Sequence, residues 1–193
     1  MNIAGKVVEG TGATTSPLSL HLLGILRANE GCYYEAEDAF LRAVEAEPEM
    51  VGSYVELGLV YACRGEYGKM IEALRQAVEV GPGGVRAYLD ERPLGDLTAA
   101  RAPGEPEHAS AVAGGDSKSV HPPLASAMSL LAEGRDGEAA AMLEQALEGK
   151  PEAPPAVVML LTLTYLLRGE RVEADDAGVR RVPADEGGRA CDG

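Results

Sequence analysis

The side chains that could support chemistry in this sequence are three histidines, three cysteines and one acidic run. The histidines are scattered along the chain, at His21, His108 and His121. The cysteines are Cys32, Cys63 and Cys191; they form no CxxC pair, and their odd number argues against a disulfide framework or a zinc site. The acidic run at residues 170–176 is more typical of a solvated surface. We therefore predict no catalytic residue, no metal site and no cofactor, and expect that the protein is not an enzyme.

The charge of the chain limits its partners. It has 17 basic and 31 acidic residues, which gives a formal net charge of -14. Nucleic acid and anionic lipid are bound by positive surfaces, so we exclude nucleic acid as a partner. The acidity either serves solubility or attracts a basic partner, and composition alone does not separate the two.

The sequence predicts a cytoplasmic protein that does not insert into membranes. The longest apolar run, residues 156–167, has twelve residues and is too short to cross a bilayer. Residues 1–16 contain no continuous apolar stretch of the kind found in a signal peptide. The unpaired cysteines fit a reducing compartment.

Self-similarity is the strongest signal in the sequence. Residues 17–50 and 51–84 are both 34 residues long and place similar residues in the same columns. The matched columns are Leu23-Gly24 with Leu57-Gly58, Gly31 with Gly65, Tyr33 with Tyr67, Phe40 with Leu74, Ala43 with Ala77 and Pro48 with Pro82. Each unit therefore predicts a helix, a turn at glycine and a second helix ended by proline.

Three further units follow and are less regular than the first two, and the one at residues 85–119 is the least regular. Residues 120–153 keep the glycine, alanine and leucine columns, and a last unit begins near Pro155 but loses its apolar pattern after Gly169. Residues 85–119 are about one repeat long and are interrupted by Pro93, Pro103 and Pro106. We interpret this stretch as a decayed repeat acting as a joint, or alternatively as a disordered linker.

This column pattern resembles the tetratricopeptide repeat (TPR) family. The resemblance implies an all-α fold in which antiparallel helix hairpins stack as a short right-handed solenoid. The expected organisation is a flexible segment at 1–16, two well-formed units at 17–84, the decayed unit or joint at 85–119, one well-formed and one degenerate unit at 120–182, and a disordered tail at 183–193.

The resemblance also implies a concave groove lined by the first helix of each unit. Carried over by column, the peptide-binding residues are His21, Ile25, Val55, Leu59, Leu124, Met128, Leu131, Met159, Leu163 and Leu166. Family members that clamp the carboxylate tails of chaperones use Lys and Arg in these columns, which this chain lacks. An apolar peptide or an amphipathic helix is the expected ligand. Alternatively, the stripes cover one another or are covered by the chain's own tails.

The function indicated by this pattern is a scaffold for protein binding, either as an adaptor or as an assembly factor. A second hypothesis comes from residues 156–167, AVVMLLTLTYLL, which are apolar nearly all round and need cover on most sides. Either the weak segment after Gly169 covers them, or another subunit or partner does, which would give a structural homodimer. A third hypothesis is a regulatory repeat arm of an enzyme system.

Overall fold

The computed structural model describes residues 16–91, 122–148, 154–175 and 178–182. Its helices are α1 (Pro17–Asn29), α2 (Tyr33–Ala46), α3 (Val51–Cys63), α4 (Tyr67–Val80), α5 (Pro82–Glu91), α6 (Pro122–Ala132), α7 (Asp136–Leu147) and α8 (Pro155–Leu167), and its strands are β1 (Arg171–Asp175) and β2 (Gly178–Val182). The predicted tail, the predicted N-terminal segment up to residue 15 and the predicted joint from residue 92 onward lie outside the described residues.

Local sequence explains where the helices of the first two units begin and end. Ser16 caps α1, because its side chain accepts a hydrogen bond from the Ser19 backbone N–H at 3.1 Å, and Pro17 occupies the first helical position. Gly31 and Gly65 follow α1 and α3 with φ values of 77° and 72°, a conformation that favours glycine. The bounds of α1 and α2 correspond to those of α3 and α4 at an offset of 34 residues, as the sequence predicts.

Each of the first two units packs as a helix hairpin around a large side chain set against a glycine. The fully buried Phe40 of α2 lies over Gly24 of α1, and Leu74 of α4 lies over Gly58 of α3. A Cβ atom built at Gly24 would come within 2.5 Å of the Phe40 ring. These columns are therefore glycine because the two helices approach closely there.

The third unit contributes one described helix, α5, which packs on α3, α4 and α6. Arg86 of α5 donates two hydrogen bonds to the Asp136 carboxylate, at 2.7 and 2.8 Å, and a third to the Leu131 carbonyl oxygen at 2.6 Å. A bidentate guanidinium–carboxylate pair fixes orientation as well as distance. It therefore joins α5 to the turn between α6 and α7, which form the next hairpin.

The last unit differs from the predicted stacking in two ways. Helix α8 packs on α6 and α7 and also returns to α3 and α4 of the second unit. After Gly169 the chain forms an antiparallel hairpin, in which Arg171 pairs with Val182 and Asp175 with Gly178, rather than a weak helix. Val172 and Ala174 alternate with charged residues, as in a strand with one apolar face, and of these two Val172 is buried and Ala174 is exposed.

The described residues thus form a helical repeat solenoid with one continuous core. Buried side chains of α2, α3, α4, α5, α6, α7, α8 and β1 belong to a single apolar cluster. The core is mostly aliphatic, as composition predicts, with Phe40 as its largest fully buried side chain. The solenoid is closed on itself, since its last helix lies against its second unit.

Candidate interaction surfaces

The ten residues predicted to line the groove lie in the interior of the described structure. Eight of them are buried: His21, Val55, Leu59, Leu124, Met128, Leu131, Met159 and Leu163. Ile25 and Leu166 are partly buried and pack against the same core. Nine of the ten lie in or against one apolar cluster, and His21 lies beside the Phe40 and Tyr88 rings, so a ligand reaches the buried ones only if a helix moves away.

Helix α8 is the element that fills the space beside α3. Both helices are buried on nearly every face, and α8 packs on α3 and α4 on one side and on α6 and α7 on the other. Large apolar side chains of α8 that keep some exposure are Leu161, Leu166 and Leu167. The β-hairpin adds further cover, since β1 contacts both α4 and α8.

A polar cluster connects the first helices of the first three units. His21 Nδ1 lies 2.9 Å from Ser53 Oγ, and the His21 ring stands edge-on to the Tyr88 ring at 6.0 Å between centroids. The Tyr88 hydroxyl donates to the carboxylate of Glu56, which is 1% exposed. Ser53 is fully buried, so this serine–histidine contact offers no nucleophile to a substrate. The cluster links α1, α3 and α5 through buried side-chain contacts.

The side chains with redox or metal chemistry do not assemble into a site within the described ranges. Burial raises the pKa of the Cys63 thiol to about 11, so the thiol stays protonated at neutral pH. Cys32 and Cys63 are both free. The part of the chain that the structure describes contains no group of three or more His, Cys, Asp or Glu that could hold a metal ion. It also has no helix with the length and apolar character needed to cross a membrane.

An apolar surface that the sequence reasoning missed lies on α1. Leu18, Leu22 and Leu26 are 59%, 57% and 53% exposed, and Leu23 is 38% exposed. Three of them follow an i, i+4, i+8 spacing and so share one side of the helix. We call these four residues the α1 apolar face.

Comparison of the two units by column could have revealed this face. The positions equivalent to Leu18 and Leu22 hold Gly52 and Glu56, which are buried under the Tyr88 side chain. Leucine at these columns has no counterpart in the second unit, and this difference indicates an apolar surface that is specific to α1.

A pocket of about 370 Å³ lies between α1 and α2 beside this face. It is lined by Leu23, Arg27, Tyr34, Glu35, Asp38 and Ala39. Arg27 donates to Glu30 at 2.8 Å and lies 3.1 Å from a Glu35 oxygen, and these contacts raise the pKa of its guanidinium. The pocket therefore has an apolar floor and a charged rim in which carboxylates outnumber the single guanidinium.

At the junction between the first two units, α2 packs against the side of the second hairpin that is equivalent to this pocket. Glu37 of α2 accepts a hydrogen bond from the Tyr61 hydroxyl at 2.9 Å, pairs with Arg64 and lies 3.9 Å from Lys69 Nζ. Burial alone would raise the pKa of Glu37, but hydrogen bonds from Arg64 and Tyr61 outweigh it, and the pKa is lowered. Helix α2 thus packs against the second hairpin through a carboxylate that is both hydrogen-bonded and ion-paired.

Comparison with known families identifies one of these hairpins. Residues 51–82, which include α3 and α4, match the family model of the tetratricopeptide repeat. Searches of curated proteins and of solved structures found no significant match. The matched hairpin recurs at a 34-residue offset in α1 and α2, and consecutive hairpins pack on one another. The chain therefore contains a tetratricopeptide repeat at residues 51–82, and its first hairpin has the same helix bounds at an offset of 34 residues.

Proposed function

We propose that this protein is a cytoplasmic adaptor that binds an apolar segment of another protein through the α1 apolar face. The observation that carries the proposal is the exposure of Leu18, Leu22 and Leu26, each above half, on one side of a helix. Scattered exposed leucines are ordinary, whereas a contiguous stripe of them is typical of a binding surface. Tetratricopeptide repeats generally mediate protein–protein interactions, which supports the same conclusion.

The energetics of this face suit reversible binding. Burying three leucine side chains contributes about 1.5–3 kcal/mol each, before the cost of association is subtracted. The net affinity expected is in the micromolar range. The two free cysteines of the described residues fit a reducing compartment.

Affinity capture with matched variants tests the proposal. We expect Leu22→Glu to lose proteins that the wild-type chain retains from its native cell extract. Leu41→Glu is the control, because Leu41 is exposed at 45% but lies on α2. Equal capture by the wild type and by a folded Leu22→Glu variant would remove the α1 apolar face from consideration.

Binding of an apolar peptide in the ten-residue groove is the second candidate. It is supported by one observation, namely that α8 is itself an apolar helix lying against α3 and α4. A partner helix would have to replace α8 there. Capture that survives Leu22→Glu but is competed by a synthetic peptide of residues 155–167 would favour this candidate.

The two other hypotheses lead to different experiments. A homodimer through α8 requires that helix to leave the core, so sedimentation of the wild-type chain over a wide concentration range tests it. A regulatory arm of an enzyme system is the same binding activity with an enzyme as the partner. Identification of the captured protein by mass spectrometry decides between that role and a general adaptor.

A further inference from the structure

The open side of the first hairpin is equivalent to a side that is filled in the second hairpin. Leu57 and Val60 of α3, which are 2% and 1% exposed, correspond to Leu23 and Leu26 of α1, which are 38% and 53% exposed. Tyr61, the next residue of α3, bonds to Glu37 of α2. The columns that α1 leaves open are therefore buried columns on α3, a helix that contacts α2 of the preceding hairpin.

The pocket between α1 and α2 extends this equivalence. Its residues Leu23, Arg27 and Glu35 correspond to Leu57, Tyr61 and Lys69 in the second unit. Tyr61 and Lys69 both contact Glu37 of α2 there. The fold thus shows which kind of element suits this shape, namely one amphipathic helix lying where α2 lies on the second hairpin.

The charges at the two sites are opposite. Around Glu37 the second unit places Arg64 and Lys69, whose two positive charges exceed the one negative charge of Glu66, which pairs with both. The equivalent positions in the first unit are Glu30 and Glu35, two negative charges. Arg27 is the one cation between them, and it contacts both carboxylates. An acidic residue that suits the internal junction is therefore mismatched at the open side.

We propose that the α1–α2 pocket binds an amphipathic helix of a partner protein that carries lysine or arginine at the position occupied by Glu37 in α2. This proposal rests on the proposed function and names the chemistry of the partner. A second copy of this chain is not the expected occupant, because the Glu37 face of its α2 already packs against its own second hairpin.

Two peptides derived from α2 provide matched probes. One has the sequence of residues 33–46, stapled on its solvent side to hold the helix, and the other is identical except for Glu37→Lys. We expect the lysine peptide to bind the full chain about five- to tenfold more tightly, measured by fluorescence anisotropy at low salt. The preference should decrease at high salt, because the charges at the rim are partly exposed.

Variants of the full chain locate the binding. Leu26→Asp should abolish binding of the lysine peptide. Leu41→Asp should leave the binding unchanged. The equivalent residue of the second unit, Arg75, stays exposed although the first hairpin packs on that unit, so this column does not face a docked helix. Glu30→Gln combined with Glu35→Gln should bring the two peptides to nearly equal affinity.

Several results would overturn the proposal. Equal binding of both peptides to the wild-type chain would do so, as would binding that ignores Leu26→Asp. A wild-type dimer that Leu26→Asp dissociates would assign the face to a second copy instead. If neither peptide binds while Leu22→Glu still loses its captured protein, the helix chemistry is wrong and the proposed function stands.

Discussion

At the scale of single residues, Glu37 illustrates how one carboxylate joins two repeats. It accepts hydrogen bonds from Tyr61 and Arg64. Burial raises the pKa of the Tyr61 hydroxyl, and its hydrogen bond to Glu37 raises that pKa further. Arg64 also lies 4.0 Å from the centroid of the Tyr34 ring, a cation–π contact between the same two units. The junction is therefore electrostatic at its edge and apolar beneath.

The lowered pKa of Glu37 predicts how stability depends on pH. A carboxyl whose pKa is lower in the folded state contributes stability above the ordinary value near 4.5 and loses it as pH falls through the folded value. We expect Glu37→Gln to cost about 1 kcal/mol at neutral pH, the typical net worth of a hydrogen bond.

Thermal unfolding from pH 7 to pH 3 measures this dependence. The difference in Tm between the wild type and Glu37→Gln should shrink as pH falls below the ordinary carboxyl value of 4.5. A difference that stays constant over the whole range would show that the charge of Glu37 does not stabilise the junction.

At the scale of elements, the fit of glycine against a large side chain holds each hairpin together. A Cβ atom at Gly58 would come within 2.6 Å of Leu74, whereas one at Gly68 in α4 would meet nothing within 4 Å. Both glycines lie in helices of the same hairpin, so they form a matched pair.

We predict opposite effects for alanine at these two glycines. Gly58→Ala should destabilise the chain by about 1–3 kcal/mol through overpacking. Gly68→Ala should stabilise it by about 0.5–1 kcal/mol, because alanine favours the helix and nothing obstructs it. Urea denaturation measures both changes, and a destabilising Gly68→Ala would contradict the stated cause.

The elements differ in how well the sequence predicted them. The four helices of the first two units were predictable because glycine, alanine and proline recur in fixed columns. The hairpin after Gly169 was not, because its alternating pattern was interpreted only as the loss of a helical one. The apolar face of α1 was missed because the columns were compared for similarity. Leu18 and Leu22 are informative because they differ from the equivalent Gly52 and Glu56.

At the scale of the whole molecule, the return of α8 to the second unit makes the repeats interdependent. In a linear solenoid each unit contacts only its neighbours. Here α8 contacts both helices of the second unit, and the later of them, α4, ends at Val80, far before α8 begins at Pro155. The apolar composition of residues 156–167 predicted cover on most sides, but sequence could not indicate which helices provide it.

This closure predicts that damage to α8 spreads to the second unit. Leu163 is fully buried, so Leu163→Ala should cost about 2–5 kcal/mol. Leu161→Ala is the same substitution two residues away at a partly exposed position and should cost clearly less.

Hydrogen exchange locates the effect. We expect the most protected amides of α3 and α4 to exchange faster in Leu163→Ala, together with those of α8. Faster exchange confined to α8, with α3 and α4 unchanged, would mean that the last helix is an independent attachment.

The closed arrangement also determines at which end of the array another hairpin can be added. Repeat proteins change length by gaining or losing hairpins at an end, where the new unit finds a matching face. Before α1 such a face is present, with Leu23 and Leu26 in the columns that Leu57 and Val60 use inside the array. Beyond α8 an added hairpin would have to replace α3, α4 or the β-hairpin. Engineered elongation is therefore compatible with the amino-terminal side of this array when the second helix of the added hairpin carries a basic residue in place of Glu37, and it is opposed at the other side.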